Sequence, residues 1–240
     1  MLLGIPAHLL IRMPYAARMA NPAQLLLDQF RSWNRPVTAE KARIESREDP
    51  WLDHRIAVRH LDAIEELLNQ MADAGRNTSV FQRTFPEWVY TVFVFNRGWQ
   101  APSSGAIDRT ALDHLENLAD RLDDFVPTLQ SDGLEKIANY ADRVSTALDS
   151  DNSLDPLLKL HVRQVITHLK WCVDHYAQVG DFDLQEATER LASSVIRAAA
   201  NSADKSKWNT VVETFVWPFA VNVVAAIPGS ALAALVLGAG

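Results

Sequence analysis

Along most of this 240-residue chain, apolar positions recur every three or four residues, the period of helices that bury one face. Between Pro50 and Gly75 the residues Ala57, Leu61, Ile64, Leu68 and Met71 step by +4, +3, +4 and +3. That spacing predicts one long helix with a single buried seam. Upstream, NPAQLLLDQFRSWN predicts a shorter helix, with Asn21 as its N-cap, Pro22 as its first residue and Leu26, Leu27, Phe30 and Trp33 on one side. Residues 38–49 are almost all charged or polar and predict an exposed helix or linker.

The stretch FPEWVYTVFVFNRGW is rich in Val, Phe and Tyr, which favour strands. Its helical neighbours and the helix-opening Pro86 predict helix instead. APSSG at 101–105 is the clearest break in the pattern and predicts a subdomain boundary. Beyond it, Leu112, Leu115, Leu118, Leu122 and Phe125 line one face. Leu134, Ile137, Ala141, Val144 and Leu148 line the next, behind a capping box of Asp132 with Glu135. Asp155-Pro156 opens another helix that Gly180 closes. Asp183 with Glu186 then reads as a second capping box, for a helix running to about Ala200.

The predicted fold is therefore all-α, a helix bundle followed by a C-terminal hydrophobic, transmembrane segment. Its expected parts are a loose tail at 1–18 (with Met19 as a candidate true start), a helical subdomain at 19–100 and a bundle at 106–200. A polar linker at 201–213 and the hydrophobic segment at 214–240 complete it. The N-terminal residues lack the cationic start and unbroken apolar run of a secretory signal.

The pattern changes character at the end. Thr214 to Gly240 holds no ionisable side chain. As a helix it would reach about 40 Å, more than a bilayer core requires. Lys205 and Lys207 precede it, and Trp208, Phe215 and Trp217 cluster at its entrance, as anchors at a membrane interface would. Within it, Pro218 falls near the start, Asn222 is one of few polar residues, and Pro228-Gly229 divides the apolar run. Those breaks fit a kinked span, a re-entrant hairpin, or a segment that inserts only after assembly.

Composition adds limits. Hydrophobic residues at 48% and charged residues at 22% suit a folded protein. The formal charge of −7 is matched by the acidic excess of residues 103–160 alone, and no basic stretch suggests nucleic-acid binding. The single cysteine, Cys172, lies among Leu169, Val173 and Tyr176 and reads as a buried small hydrophobe in a reducing compartment.

Candidate chemistry is sparse. His161, His168 and His175 recur every seven residues, so they share a helix face but stand roughly 10 Å apart, too far to ligate one metal. They are expected at the edge of the seam, as a pH-sensitive set able to meet Asp113, Glu116 or Asp120. His54 and His60 are spaced poorly for joint ligation. No GxSxG, P-loop, GxGxxG, HExxH or CxxC motif occurs, and no cofactor is implied.

The unit DPLLKLHVRQVITHLKWCVDHYAQVGDFDLQEATERL, with its Asp-Pro start, its Tyr before a Gly turn and its capped second helix, resembles a helix–Gly–helix unit of uncharacterised bacterial proteins. The resemblance implies a bacterial, mobile-element setting and no activity. The expected function is non-enzymatic: a membrane-tethered protein whose cytoplasmic bundle binds an unknown protein partner or itself. The alternative is a membrane-perturbing effector of toxin or phage-defence type, whose C-terminal segment inserts on triggering.

Overall fold

The computed structural model describes residues 21–44, 48–95 and 97–220. Among the described residues nine helices follow one another: α1 Pro22–Trp33, α2 Ala39–Arg43, α3 Leu52–Asp73, α4 Ser79–Phe93, α5 Arg109–Leu122, α6 Gly133–Ser150, α7 Pro156–Asp174, α8 Tyr176–Asn201 and α9 Lys205–Glu213. Among the described residues the only extended pairings are two isolated bridges, Thr38 with Pro102 and Leu129 with Phe219. The chain is all-α.

Two apolar cores organise the helices. In the first, Leu26, Phe30 and Trp33 of α1 meet Leu61, Ile64 and Leu68 of α3, Trp88 of α4, and Leu115 and Leu118 of α5. In the second, Val144 and Leu148 of α6 meet Val162, Leu169 and Cys172 of α7, Leu184 and Leu191 of α8, and Trp208 of α9. The division therefore falls near 127–132, whereas the composition break predicted it at 101–105. The reason is α5: its seam is completed by α1 and α4, and the Trp88 indole N–H donates to the Ala111 carbonyl at 2.8 Å. APSSG is a turn stitched back onto α1, where the Gly105 N–H donates to Asn34 Oδ1 at 2.7 Å and Ser103 Oγ donates to the Trp33 carbonyl. The bundle expected over 106–200 is thus split between the two cores.

Local signals explain most helix starts. Asn21 Oδ1 accepts from the Gln24 N–H at 3.0 Å, and Asp155 Oδ1 from the Leu157 N–H at 2.8 Å. The two expected capping boxes do not form. Asp132 makes no cap bond and pairs instead with Lys136 at 2.9 Å. Asp183 lies inside α8 and is buried. Helix α7 ends before Gly180, at Asp174; Gly180, with φ 75° and ψ −169°, separates the short helical turn at 176–179 from the helix that runs on to Asn201, in a backbone region open essentially only to glycine. Helix α4 begins at Ser79, so Pro86 sits within the helix rather than at its start.

The entrance to the C-terminal segment belongs to the second core. The Ala220 N–H donates to the Thr128 carbonyl at 2.8 Å, and the Gln130 N–H to the Pro218 carbonyl at 2.9 Å. Phe219 and Pro218 are buried, and Phe215 packs on Tyr140 with ring centroids 4.9 Å apart. Gly133 permits this docking, since a Cβ there would meet Leu129 Cδ1 at 2.5 Å and the Pro218 carbonyl oxygen at 3.1 Å. Residues 221–240, with Asn222, Pro228 and Gly229, lie outside the described residues. Among those described, no helix is long and apolar enough to cross a membrane.

Candidate functional site

Polar groups without an evident place in either core gather where α1 and α3 meet the α7–α8 bend. Arg59 and His60 sit on the flank of the α3 seam and face that bend. The Arg59 guanidinium lies 4.9 Å above the Trp171 ring, Nη1 is 3.4 Å from His168 Nε2 and 3.6 Å from Asp183 Oδ2. The last distance is too long for a well-formed hydrogen bond, and Asp183 Oδ2 is buried without a hydrogen-bond partner. Burial pushes the Asp183 carboxyl up to about 6, an effect that Arg59 opposes and Glu186 reinforces.

His60 is almost wholly buried. Burial pulls it down to about 4, against a raising hydrogen bond to the Gln178 main chain, so the ring is neutral at physiological pH. Its Nδ1 has no partner. The Gln178 N–H donates to the His175 carbonyl at 2.8 Å, which ties the bend together where His60 meets it.

A second cluster gathers around Trp33 of the first core. His54 stacks on Trp33 at 4.9 Å and meets Trp51 and Trp99 edge-on or tilted at 5.2 and 6.0 Å. Arg43, buried although its segment reads as exposed, lies 4.7 Å over Trp33 and donates to the Thr91 carbonyl at 2.9 Å. Burial lowers the Arg43 guanidinium to about 10, and burial with the neighbouring Arg43 charge lowers His54 to about 4. Trp51 and Trp99 each keep an exposed edge.

The expected histidine set is dispersed. His161 reaches Ser194 Oγ at 3.5 Å, His168 lies by Arg59, and His175 stacks on Trp171 at 4.5 Å. Asp113, Glu116 and Asp120 stand on α5 in the other core, and Glu116 pairs with Arg31 at 2.9 Å. Burial and the Arg59 and Arg190 charges lower His168. Among the described residues no group of three or more His, Cys, Asp or Glu is placed to hold a metal ion. Cys172 is buried and free, its thiol pushed up to about 12 by burial, which leaves it protonated and a poor nucleophile.

The expected interface anchors have internal roles. Trp208 is fully buried, and its indole N–H donates to Asp151 Oδ2 at 2.7 Å. Lys205 Nζ caps α8 through the Ala199 and Ala200 carbonyls, at 2.8 and 2.7 Å. Lys207 Nζ reaches the Ser150 carbonyl at 3.2 Å. Trp217 is half-buried against Phe219 at 5.3 Å. The polar seam at Arg59, His60, Trp171 and Asp183 escapes a reading of motifs. One signal was present: His60 falls between Ala57 and Ile64 at the spacing of buried positions. No known family, curated protein or solved structure matches this chain.

Proposed function

We propose that this is a non-enzymatic helical protein, held at a membrane by residues 221–240 and acting through protein contacts of its folded body. The observation that carries the reading is the run of twenty residues after Ala220 without an ionisable side chain. As a helix that run would reach about 30 Å, the thickness of a bilayer's hydrocarbon core. Residues 214–220 dock on the second core, so in this reading the membrane segment begins after Ala220 rather than at Thr214. Val216, 60% exposed, lies in the stretch that leads to Ala220. The body lies on the cytoplasmic side, consistent with Lys205 and Lys207 near the segment and a lone thiol. Exposed apolar side chains on α4 and α7, Phe93 at 64% and Leu157 at 75% among them, offer surface for a partner or a second copy.

The test compares full-length protein with a chain ending at Ala220, by membrane fractionation with an alkaline carbonate wash. Full-length protein is expected to stay in the washed membrane, and the shortened chain to be soluble and helical by circular dichroism. A full-length chain that is soluble without detergent would overturn the reading. Dye release from liposomes that depends on 221–240 would replace tethering by a membrane-perturbing activity.

A further inference from the structure

Where α4 ends, the chain becomes apolar and nearly uncharged. Of the twenty residues between Glu87 and Asp108, Arg97 alone is charged at neutral pH. Arg43 Nη1 donates to the Thr91 and Val92 carbonyls at 2.9 and 3.4 Å, which satisfies acceptors in the last turn of α4. Its guanidinium lies 5.2 Å over Phe95. Phe95 is thereby held against the body, while Phe93 and Val94 before it are exposed. Three main-chain hydrogen bonds then fasten the returning loop to α2 and its approach. The Glu40 N–H donates to the Trp99 carbonyl at 3.0 Å, the Ala39 N–H to that of Ala101 at 3.0 Å, and the Ser103 N–H to that of Val37 at 2.8 Å. Trp99 in turn meets Trp51 edge-on, with ring centroids 6.0 Å apart.

Val37, Trp51, Phe93, Val94 and Trp99 thus form an exposed apolar patch on a fastened frame. Trp51 is 47% exposed and Trp99 38%. With Phe93 they leave about 350 Å² open, taking about 200–250 Å² for a whole aromatic side chain. A patch of that size on a monomer is often functional. It is well under the roughly 800 Å² that each side of a stable protein pair buries. Along the adjoining chain stand Lys41 and Arg97, both exposed, and the exposed acid Glu48. Glu40 accepts from the Gln100 amide at 2.6 Å, and Asp49 pairs with Arg55. In a chain of formal charge −7, this face therefore lacks the acidic excess that would repel an anionic surface. Tryptophan and phenylalanine suit the headgroup level of a bilayer, a surface that demands no matching shape.

We propose that Trp51, Phe93, Val94 and Trp99 dock on an anionic lipid surface, with Lys41 and Arg97 at the headgroup phosphates and the aromatic side chains just beneath them. The proposal rests on the membrane reading of residues 221–240 and deepens it. The patch belongs to the first core and the tether leaves the second, so the body is attached at two points. Leu157 and Leu160 of α7 remain exposed for a protein partner.

Full-length Phe93→Cys protein is labelled with a nitrobenzoxadiazole dye, which spares the buried Cys172. It is incorporated into vesicles of phosphatidylcholine with a minority of phosphatidylglycerol. Exposed Asn117 of α5, replaced by Cys and labelled likewise, is the comparison. Lipid spin-labelled near the headgroup is expected to quench the dye at position 93 about threefold more than at 117. Trp99→Glu, checked for folding by circular dichroism, should bring quenching at 93 down to the level of 117; unchanged quenching in the folded variant would overturn the proposal. Protein that floats with the vesicles while its dye at 93 stays unquenched would overturn the patch and leave the tether standing. Protein that does not float would overturn both. Ala226→Arg with Leu235→Arg blocks insertion of the tether in the full chain; flotation of that variant with quenching at 93 would uphold the patch and remove the tether. A dye at 93 that is shielded with rising protein concentration, but not quenched by the lipid, would assign the patch to a second copy and overturn the proposal.

Discussion

Arg59 of α3 and Asp183 of α8 stand 3.6 Å apart where the two cores meet, with the carboxylate buried and the guanidinium half open to solvent. Burial wins over attraction at this pair, because Asp183 is raised to about 6 despite its cationic neighbour. A carboxyl raised in the fold takes up protons more readily there than in the unfolded chain. Its ionisation therefore costs stability as pH rises from about 4 to 6, and the whole penalty is present at neutral pH. The ceiling is about 3 kcal/mol, at 1.36 kcal/mol for each unit of pKa. Asp183→Asn should raise stability by about 1–2 kcal/mol at pH 7.5, and the gain should shrink at pH 4.5. Urea denaturation at the two pH values measures both quantities. Destabilisation that is larger at pH 7.5 would show the ion pair to be net favourable.

His60 acts in the opposite direction. Its folded-state value of about 4 lies below the ordinary 6.5, so on acidification the unfolded chain binds a proton that the fold refuses. Stability is lost as pH falls from about 6.5 to 4. His60→Gln cannot titrate, and between pH 7 and pH 4.5 it should lose about 1–3 kcal/mol less than the parent protein does. Stability of the two proteins measured at both pH values gives this difference. An unchanged difference would place the titrating histidine elsewhere.

Asp151 is the main polar knot of the second core. It accepts from Ser153 Oγ at 2.7 Å, Ser202 Oγ at 2.6 Å and the Trp208 indole at 2.7 Å, joining the end of α6 to the end of α8 and to α9. Burial would raise its carboxyl, but these hydrogen bonds outweigh that and hold it well below the ordinary range. Its contribution is therefore present above the unfolded value of 3.8 and is lost only in strong acid. Asp151→Ala strands buried donors and should cost about 2–5 kcal/mol. Asp151→Asn, which still accepts, should cost less. Denaturant titration followed by tryptophan fluorescence ranks them, and equal losses would assign the contribution to the charge rather than to the acceptor.

Gly180 gives the bend its direction. At φ 75° and ψ −169° any Cβ is strained, and Gly180→Ala should cost about 1–3 kcal/mol. Because Gln178 holds His60, the variant should also speed hydrogen exchange at the bend before it affects α6. Exchange monitored by mass spectrometry separates local opening from global loss, and uniform acceleration would deny the bend a local role.

The sequence disclosed the elements better than their assembly. Asn21 and Asp155 sit at helix starts because a side-chain oxygen beside a first-turn proline is a local device, readable from neighbours alone. The seam of α3 was equally legible, since its period needs only one buried face. Assembly depends on which seams meet, and the spacing of Leu115 and Leu118 carries no statement that α1 and α4 will cover them. Asp183 resembled a cap because its four-residue signature is local; tertiary burial opposite Arg59 decided otherwise. Trp208 resembled an interfacial anchor because aromatic content looks alike beside a bilayer and beside an Asp151 waiting for a donor. The polar cluster of Arg59, His168 and Asp183 is assembled from three separate elements, and no single stretch of chain contains its pattern.

Helix α4 supplies a test of that boundary between local and tertiary control. Pro86 lies in the eighth position of a fifteen-residue helix, is exposed, and offers no N–H to the carbonyl four residues before it. An interior proline disfavours a helix by about 3 kcal/mol relative to alanine. Part of that is offset, since proline also restricts the unfolded chain. Pro86→Ala should therefore stabilise the protein by about 1–2 kcal/mol, visible as a higher urea midpoint with an unchanged slope. The opposite sign would mean that the proline fixes how Trp88, two residues on, enters the first core to reach the Ala111 carbonyl. The near-ultraviolet circular dichroism of the variant would then change along with its midpoint.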